Sequence, residues 1–153
     1  MQYRKFGNTG LTVSALGYDG SIDEEETIRL LRHGIDNGIN YIDTAYSYHG
    51  GKSEILLSKV LAGGYREKVY LADKNPVWLV KKYEDFEALL DEQLQKLKTD
   101  RIDLYLLHSL DKNSWERIRD LDVLRFVDKA KRDGKIGFAG FAFKRIIGIY
   151  VFS

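Results

Sequence analysis

Apolar positions along the chain follow two alternating periods. Asn40–Asp43, Lys68–Asp73, Ile102–His108 and Lys135–Phe143 are short, β-rich runs that read as strands. Between them the spacing is helical. Ile28, Leu31 and Ile35 share one face of a helix that Ser21 or Asp23 caps, with Glu24 or Glu26 three residues on, and that Gly38 ends. Lys52–Leu61 is a second helix. Glu84–Lys98 is a third, with Phe86, Leu89, Leu90, Leu94 and Leu97 at helical spacing. Ser114–Asp133 is a fourth, broken around Asp120–Asp122 and ended by Gly134. Near the N-terminus, residues 3–6 and 11–14 flank Gly-Asn-Thr-Gly and predict a hairpin, and Ala15–Tyr18 is one more extended segment.

Strands alternating with helices predict right-handed βαβ units and a parallel sheet, so the expected fold class is α/β. The expected organisation is a single domain over 1–153. It comprises the hairpin at 1–14, four βα units and a fifth strand over 15–143, and an atypical tail over 144–153. In that tail Ile146–Phe152 is expected to add a last strand or helix over an exposed edge. Four βα units and a fifth strand amount to about half of a TIM (β/α)8 barrel, which takes roughly 250 residues. The alternative is an open, flavodoxin-like doubly wound sheet.

Composition narrows the function classes. Against 24 Lys+Arg stand 23 Asp+Glu, which gives a net charge of +1 and no electrostatic footprint for nucleic acid or an anionic membrane. The chain has no cysteine, so a disulfide framework, an iron–sulfur cluster and a thiolate zinc site are excluded. The longest apolar stretches fall short of the ~20 residues of a membrane span. The polar start, Met-Gln-Tyr-Arg-Lys, has no signal-peptide core. The expectation is a soluble, cytoplasmic protein with neither nucleic acid nor membrane as partner.

Ligands of both candidate architectures bind at the C-terminal ends of the strands. Those ends carry Asp43, then Tyr48 in the following loop, Lys74 and His108. A phenol is a poor acid, with an ordinary pKa near ~10, and a neighbouring ammonium favours its ionised form. An aspartate keeps the lysine charged and in place, and an imidazole orients a carbonyl oxygen. Together the four groups suit protonation of a carbonyl oxygen as hydride reaches its carbon. The other histidines carry less. His33 sits beside Arg32 on a helix and reads as a surface residue. His49 borders the loop after Tyr48, and the three histidines lack the spacing of a metal site. Tyr18-Asp19-Gly20-Ser21 reads as a tight turn and helix cap rather than a phosphate site.

Several segments resemble the aldo-keto reductases. They are Tyr-Arg-Lys-Phe-Gly-Asn-Thr-Gly-Leu-Thr-Val-Ser-Ala-Leu-Gly, Gly-Ile-Asn-Tyr-Ile-Asp-Thr-Ala-Tyr-Ser-Tyr and Asp-Arg-Ile-Asp-Leu-Tyr-Leu-Leu-His. His-Gly-Gly-Lys-Ser-Glu and Asn-Pro-Val-Trp-Leu-Val-Lys resemble the bacterial branch with a ferredoxin-like C-terminal region. The resemblance implies a (β/α)8 barrel that reduces aldehydes or ketones with NADPH. It places the catalytic tetrad on Asp43, Tyr48, Lys74 and His108, with Tyr48 as the general acid.

Departures from that pattern are also legible. The first loop is short, and Asp73 and Asn75 flank Lys74 where the family usually has Thr and an apolar residue. Ala142 and Phe143 stand where the family offers a serine to the nicotinamide amide, and Lys144 follows. The family's later strands, with most of the cofactor contacts, have no counterpart in the chain. The reading is therefore the tetrad-bearing half of a reductase, inactive as an isolated chain and binding NADPH weakly. The alternative is an engineered or fragment-derived non-enzymatic scaffold. A half barrel exposes sheet edges, so a homodimer is expected, and Asp73, Asn75 and Lys144 read as polarity added near strand ends.

Overall fold

The computed structural model describes residues 1–14 and 23–143, and the backbone of Ile149–Phe152. The expected segment Ala15–Tyr18, the Ser21 cap, the loop at Tyr18–Ser21 and Lys144 lie outside the described residues. An antiparallel hairpin opens the fold, β1 (Tyr3–Lys5) against β2 (Thr12–Ser14). It is stapled to the rest by Asn40, whose amide donates to the Thr12 carbonyl at 2.9 Å and accepts from the Ser14 N–H at 2.7 Å. Phe6 stacks on Tyr41 with ring centroids 5.7 Å apart.

Helix α1 (Glu24–Asp36) begins where the Asp23 carboxylate accepts from the Glu25 and Glu26 N–H groups. The Glu26 carboxylate turns to Arg29 instead of closing a capping box. The chain continues through β3 (Tyr41–Asp43), α2 (Ser53–Leu61), β4 (Tyr70–Asn75), α3 (Tyr83–Leu97) and β5 (Ile102–Leu110). β4 starts later than its sequence signal because Arg66–Lys68 form a turn of 3₁₀ helix, and it runs on through Lys74 to Asn75. The fourth helical stretch is two helices, α4 (Lys112–Asp120) and α5 (Val123–Arg132). α4 starts ahead of Ser114 because Asp111 and Ser114 form a reciprocal capping box, and Asp122, at φ 66°, makes the expected break. β6 (Ile136–Phe143) follows.

The main sheet has the order β3-β4-β5-β6-β7, where β7 is Ile149–Phe152. The first four strands are parallel, and β7 runs antiparallel to β6, pairing Gly140 with Val151 and Ala142 with Ile149. The tail therefore adds a strand. The order also corrects the doubly wound alternative. Such a sheet reverses direction at a switch point and carries helices on both faces. Here every strand pairs with its sequence neighbour, and α1, α2, α3 and α5 pack side by side in one layer.

Strand alternation explains the core. Ile42, Leu71, Tyr105 and Leu107 face the helices and meet Phe86, Leu90, Ile118 and Phe126 in one apolar cluster. Phe86 stacks on Phe126 at 5.2 Å. Each fully buried leucine or phenylalanine contributes about 1.5–3 kcal/mol of transfer free energy.

At Gly137 a Cβ would stand 2.6 Å from the Asp103 carbonyl of β5, a backbone atom that cannot swing aside. Gly137→Ala is expected to lower stability by about 1–3 kcal/mol, read as a reduced urea midpoint at unchanged m. An unaltered midpoint would contradict the close approach of β6 to β5.

Candidate active site

The β3–β4 register builds the site. Asp43 pairs with Ala72, so Lys74 stands two residues past its level on β4 and reaches back across the strand end. Its Nζ donates to Asp43 Oδ1 and, at 2.7 Å, to the Thr44 carbonyl. The Lys74 side chain is 7% exposed and that of Asp43 30%, so a buried ammonium meets a half-buried carboxylate. An isolated charge at that depth would be strongly unfavourable.

The loop after β3 brings in Tyr48. The Thr44 hydroxyl donates to Ser53 Oγ at 2.8 Å, and the Tyr48 N–H closes a turn onto the Ala45 carbonyl at 3.0 Å. Left-handed His49 and Gly50 then reverse the chain into α2. As a result the Tyr48 ring lies over Lys74, with Nζ 4.7 Å from the ring centroid. His108, near the end of β5, meets Tyr48 edge-on at 6.0 Å between centroids. Burial first, and the Lys74 charge second, lower the His108 pKa to about 4, so the imidazole is neutral at physiological pH. Its Nδ1 is buried without a hydrogen-bond partner. The four expected residues are thus brought together, while His33 and His49 are exposed. Among the described residues, no group of three or more acidic, histidine or cysteine side chains could hold a metal.

One neighbour escaped the sequence reading. Trp78 tilts over His108 at 5.3 Å and is 47% exposed, forming an aromatic wall beside the imidazole. It stands on a 3₁₀ turn, Val77–Leu79, that Arg117 of α4 anchors by donating to the Val77 and Val80 carbonyls. The signal was Pro76 closing a strand directly before an apolar Val-Trp-Leu.

Asp73 and Asn75 require a correction. Both are fully buried on the helix-facing side of β4 and do not add surface polarity. Gln93 of α3 donates to Asp73 and to Glu54 of α2, and Tyr105 donates to Gln93 Oε1 at 2.6 Å. The signal was a polar residue on an apolar helix stripe: Glu54 in register with Leu57, Ser58 and Leu61, and Gln93 with Phe86, Leu90 and Leu97.

Residues 7–150 match the sequence profile of the Aldo/keto reductase family. The chain belongs to this family. It is 30% identical to an uncharacterized oxidoreductase, YrpG, of Bacillus subtilis, over 92% of this chain and 48% of that protein. It is 29% identical to an L-galactose dehydrogenase of Arabidopsis thaliana, over 92% of this chain and 48% of that one. The holo form of the aldo-keto reductase AKR11C1 from Bacillus halodurans superposes with a TM-score of 0.78 at 28% identity, covering 94% of this chain and 50% of that one. This aldo/keto reductase chain spans about half the length of these relatives. No helix among its described residues is long and apolar enough to cross a membrane.

The His108 environment has a direct readout. On lowering pH, the ring Cε1–H resonance is expected to stay at its neutral position through pH 5 and to move near pH 4. Because folded His108 binds its proton later than an unfolded histidine at about 6.5, stability falls as pH drops from about 6.5 towards 4. A midpoint of 6 or above would contradict the burial and the Lys74 charge as causes.

Proposed function

We propose that this chain supplies the acid–base half of an NADPH-dependent carbonyl reductase site. One observation carries the reading: Lys74, paired with Asp43, lies against the Tyr48 ring while a neutral His108 faces that ring. The similarity to an L-galactose dehydrogenase supports chemistry between an alcohol and a carbonyl.

In this reading the substrate carbonyl sits between the Tyr48 hydroxyl and the His108 ring, with Trp78 on the outer side. His108, being neutral, hydrogen-bonds the carbonyl oxygen without adding a second positive charge beside Lys74. Tyr48 gives its proton to that oxygen as the carbon is reduced, and Lys74 stabilises the phenolate left behind. Asp43 holds the ammonium in place, and the Thr44 carbonyl limits its rotation.

NADPH, when bound, supplies the hydride. The described residues suit the carbonyl side of that reaction better than the cofactor side. Ala142 and Phe143 at the end of β6 bring no polar side chain to a nicotinamide amide, and no residue here is assigned to hold the dinucleotide. The 153-residue polypeptide alone is therefore expected to bind NADPH weakly and to be catalytically impaired.

Nicotinamide fluorescence during an NADPH titration is expected to show a Kd of millimolar or weaker. Clearly tighter binding would contradict the weak-cofactor reading. Any aldehyde-dependent NADPH oxidation at high cofactor is expected to fall about 100-fold or more in Tyr48→Phe. Residual activity that survives this substitution would remove Tyr48 as the acid.

A further inference from the structure

Lys74 has an unusual backbone environment. The β3–β4 ladder ends with Asp43 opposite Ala72, and its last bond runs from the Thr44 N–H to the Ala72 carbonyl at 2.9 Å. In a parallel ladder alternate residues turn their N–H and C=O to the same neighbour. Lys74, two residues past Ala72, therefore turns these groups towards β3 at a level where β3 has ended. Side chains take over instead. The Lys74 N–H donates to Asp73 Oδ1 at 2.7 Å, and the Lys74 carbonyl accepts from Gln93 Nε2 at 3.1 Å.

Gln93 is itself held on every side. Nε2 also lies 2.9 Å from Asp73 Oδ2 and 3.0 Å from Glu54 Oε1. Its Oε1 accepts from the Tyr105 hydroxyl, which in turn accepts from Asn75 Nδ2 at 3.1 Å. Glu54 Oε2 makes no hydrogen bond but stands 3.4 Å from Lys96 Nζ. Glu54, Asp73 and Gln93 are all fully buried.

We propose that Asp73, Gln93 and Glu54 are positioning residues for Lys74, their buried network replacing the absent strand partner and thereby fixing where the ammonium stands. The proposal rests on the reading of Lys74 as part of the acid–base set. Donor counting supports the network as a built unit. Gln93 Nε2 carries two hydrogens and faces three acceptors: Glu54 Oε1, Asp73 Oδ2 and the Lys74 carbonyl. The surplus is resolved when one of the two touching carboxyl groups is protonated and donates to the other. Burial first, then the neighbouring Glu54 charge, raise the Asp73 carboxyl well above its ordinary range. Removing a member of the network leaves a buried charge or carbonyl without its donor.

The test follows the Lys74 side chain without turnover. In the 153-residue polypeptide with ¹⁵N-labelled lysine, the Lys74 Nζ signal is assigned by its loss in Lys74→Met, and its proton exchange with water is measured. Gln93→Leu is expected to speed that exchange about tenfold. Tyr105→Phe, which keeps the ring volume and removes the hydroxyl that donates to Gln93 Oε1 and accepts from Asn75 Nδ2, is expected to act in the same direction by a few-fold; it decides the matter alone if Gln93→Leu does not fold. Gly137→Ala, which loosens the far side of the sheet, is expected to leave Lys74 unchanged. Unaltered exchange in Tyr105→Phe, or equal acceleration in Gly137→Ala, would overturn the proposal. Failure of the acid–base reading itself shows separately, as NADPH oxidation insensitive to Tyr48→Phe.

Discussion

The ion pair of Lys74 with Asp43 is the constraint on which the rest of the site depends. An amine this far from solvent has to be paired. Its partner is set by the sheet, because the β3–β4 register places Asp43 opposite Ala72, two residues before Lys74 on the same face of the sheet. The neighbouring features follow from that placement. The Thr44 carbonyl accepts a second bond, the Tyr48 ring lies over the amine, and the positive charge adds to burial in keeping His108 neutral.

β4 carries polar groups on both faces, which is rare for a strand in the middle of a sheet. Its inner face presents Lys74 to the site. Its outer face presents Asp73 and Asn75 to the helix layer, where an apolar pair would have packed with less difficulty. α3 gives up one position of its apolar stripe to Gln93, which donates to Asp73 and to the buried Glu54 of α2, while Asn75 donates to the Tyr105 hydroxyl. Burying two carboxyl groups side by side is tolerable only where donors meet them, and the Gln93 amide donates to both. The same bonds supply Lys74 with backbone partners where β3 stops.

Much of this was legible in the sequence, and the exceptions have physical reasons. Period and capping signals located the helices and strands, including the break before Val123, since these are local properties, but left the tail open between strand and helix. That Asp43, Tyr48, Lys74 and His108 lie together was legible because strand ends in parallel α/β folds share one rim. The β3–β7 strand order was not, because an open sheet and a barrel use the same βαβ units, and only long-range pairing separates them. Asp73 and Asn75 were misread because a charged residue near a strand end is normally solvated. Asp73 meets Gln93, 20 positions on, beside Glu54, 19 positions back, and Asn75 meets Tyr105, 30 positions on; these residues come together only in the fold. Trp78 was passed over for a similar reason: its partner, His108, lies on the next strand.

Lys74 and Asp43 act as one coupled unit at the end of the sheet. A double-mutant cycle measures this directly, with urea unfolding of the wild type, Asp43→Asn, Lys74→Met and the double variant at pH 7. Each single change is expected to cost about 3 kcal/mol or more, by leaving one member of the pair without its partner, and the double variant to cost less than the sum by at least ~1 kcal/mol. Losses that simply add, to within about 0.3 kcal/mol, would contradict it.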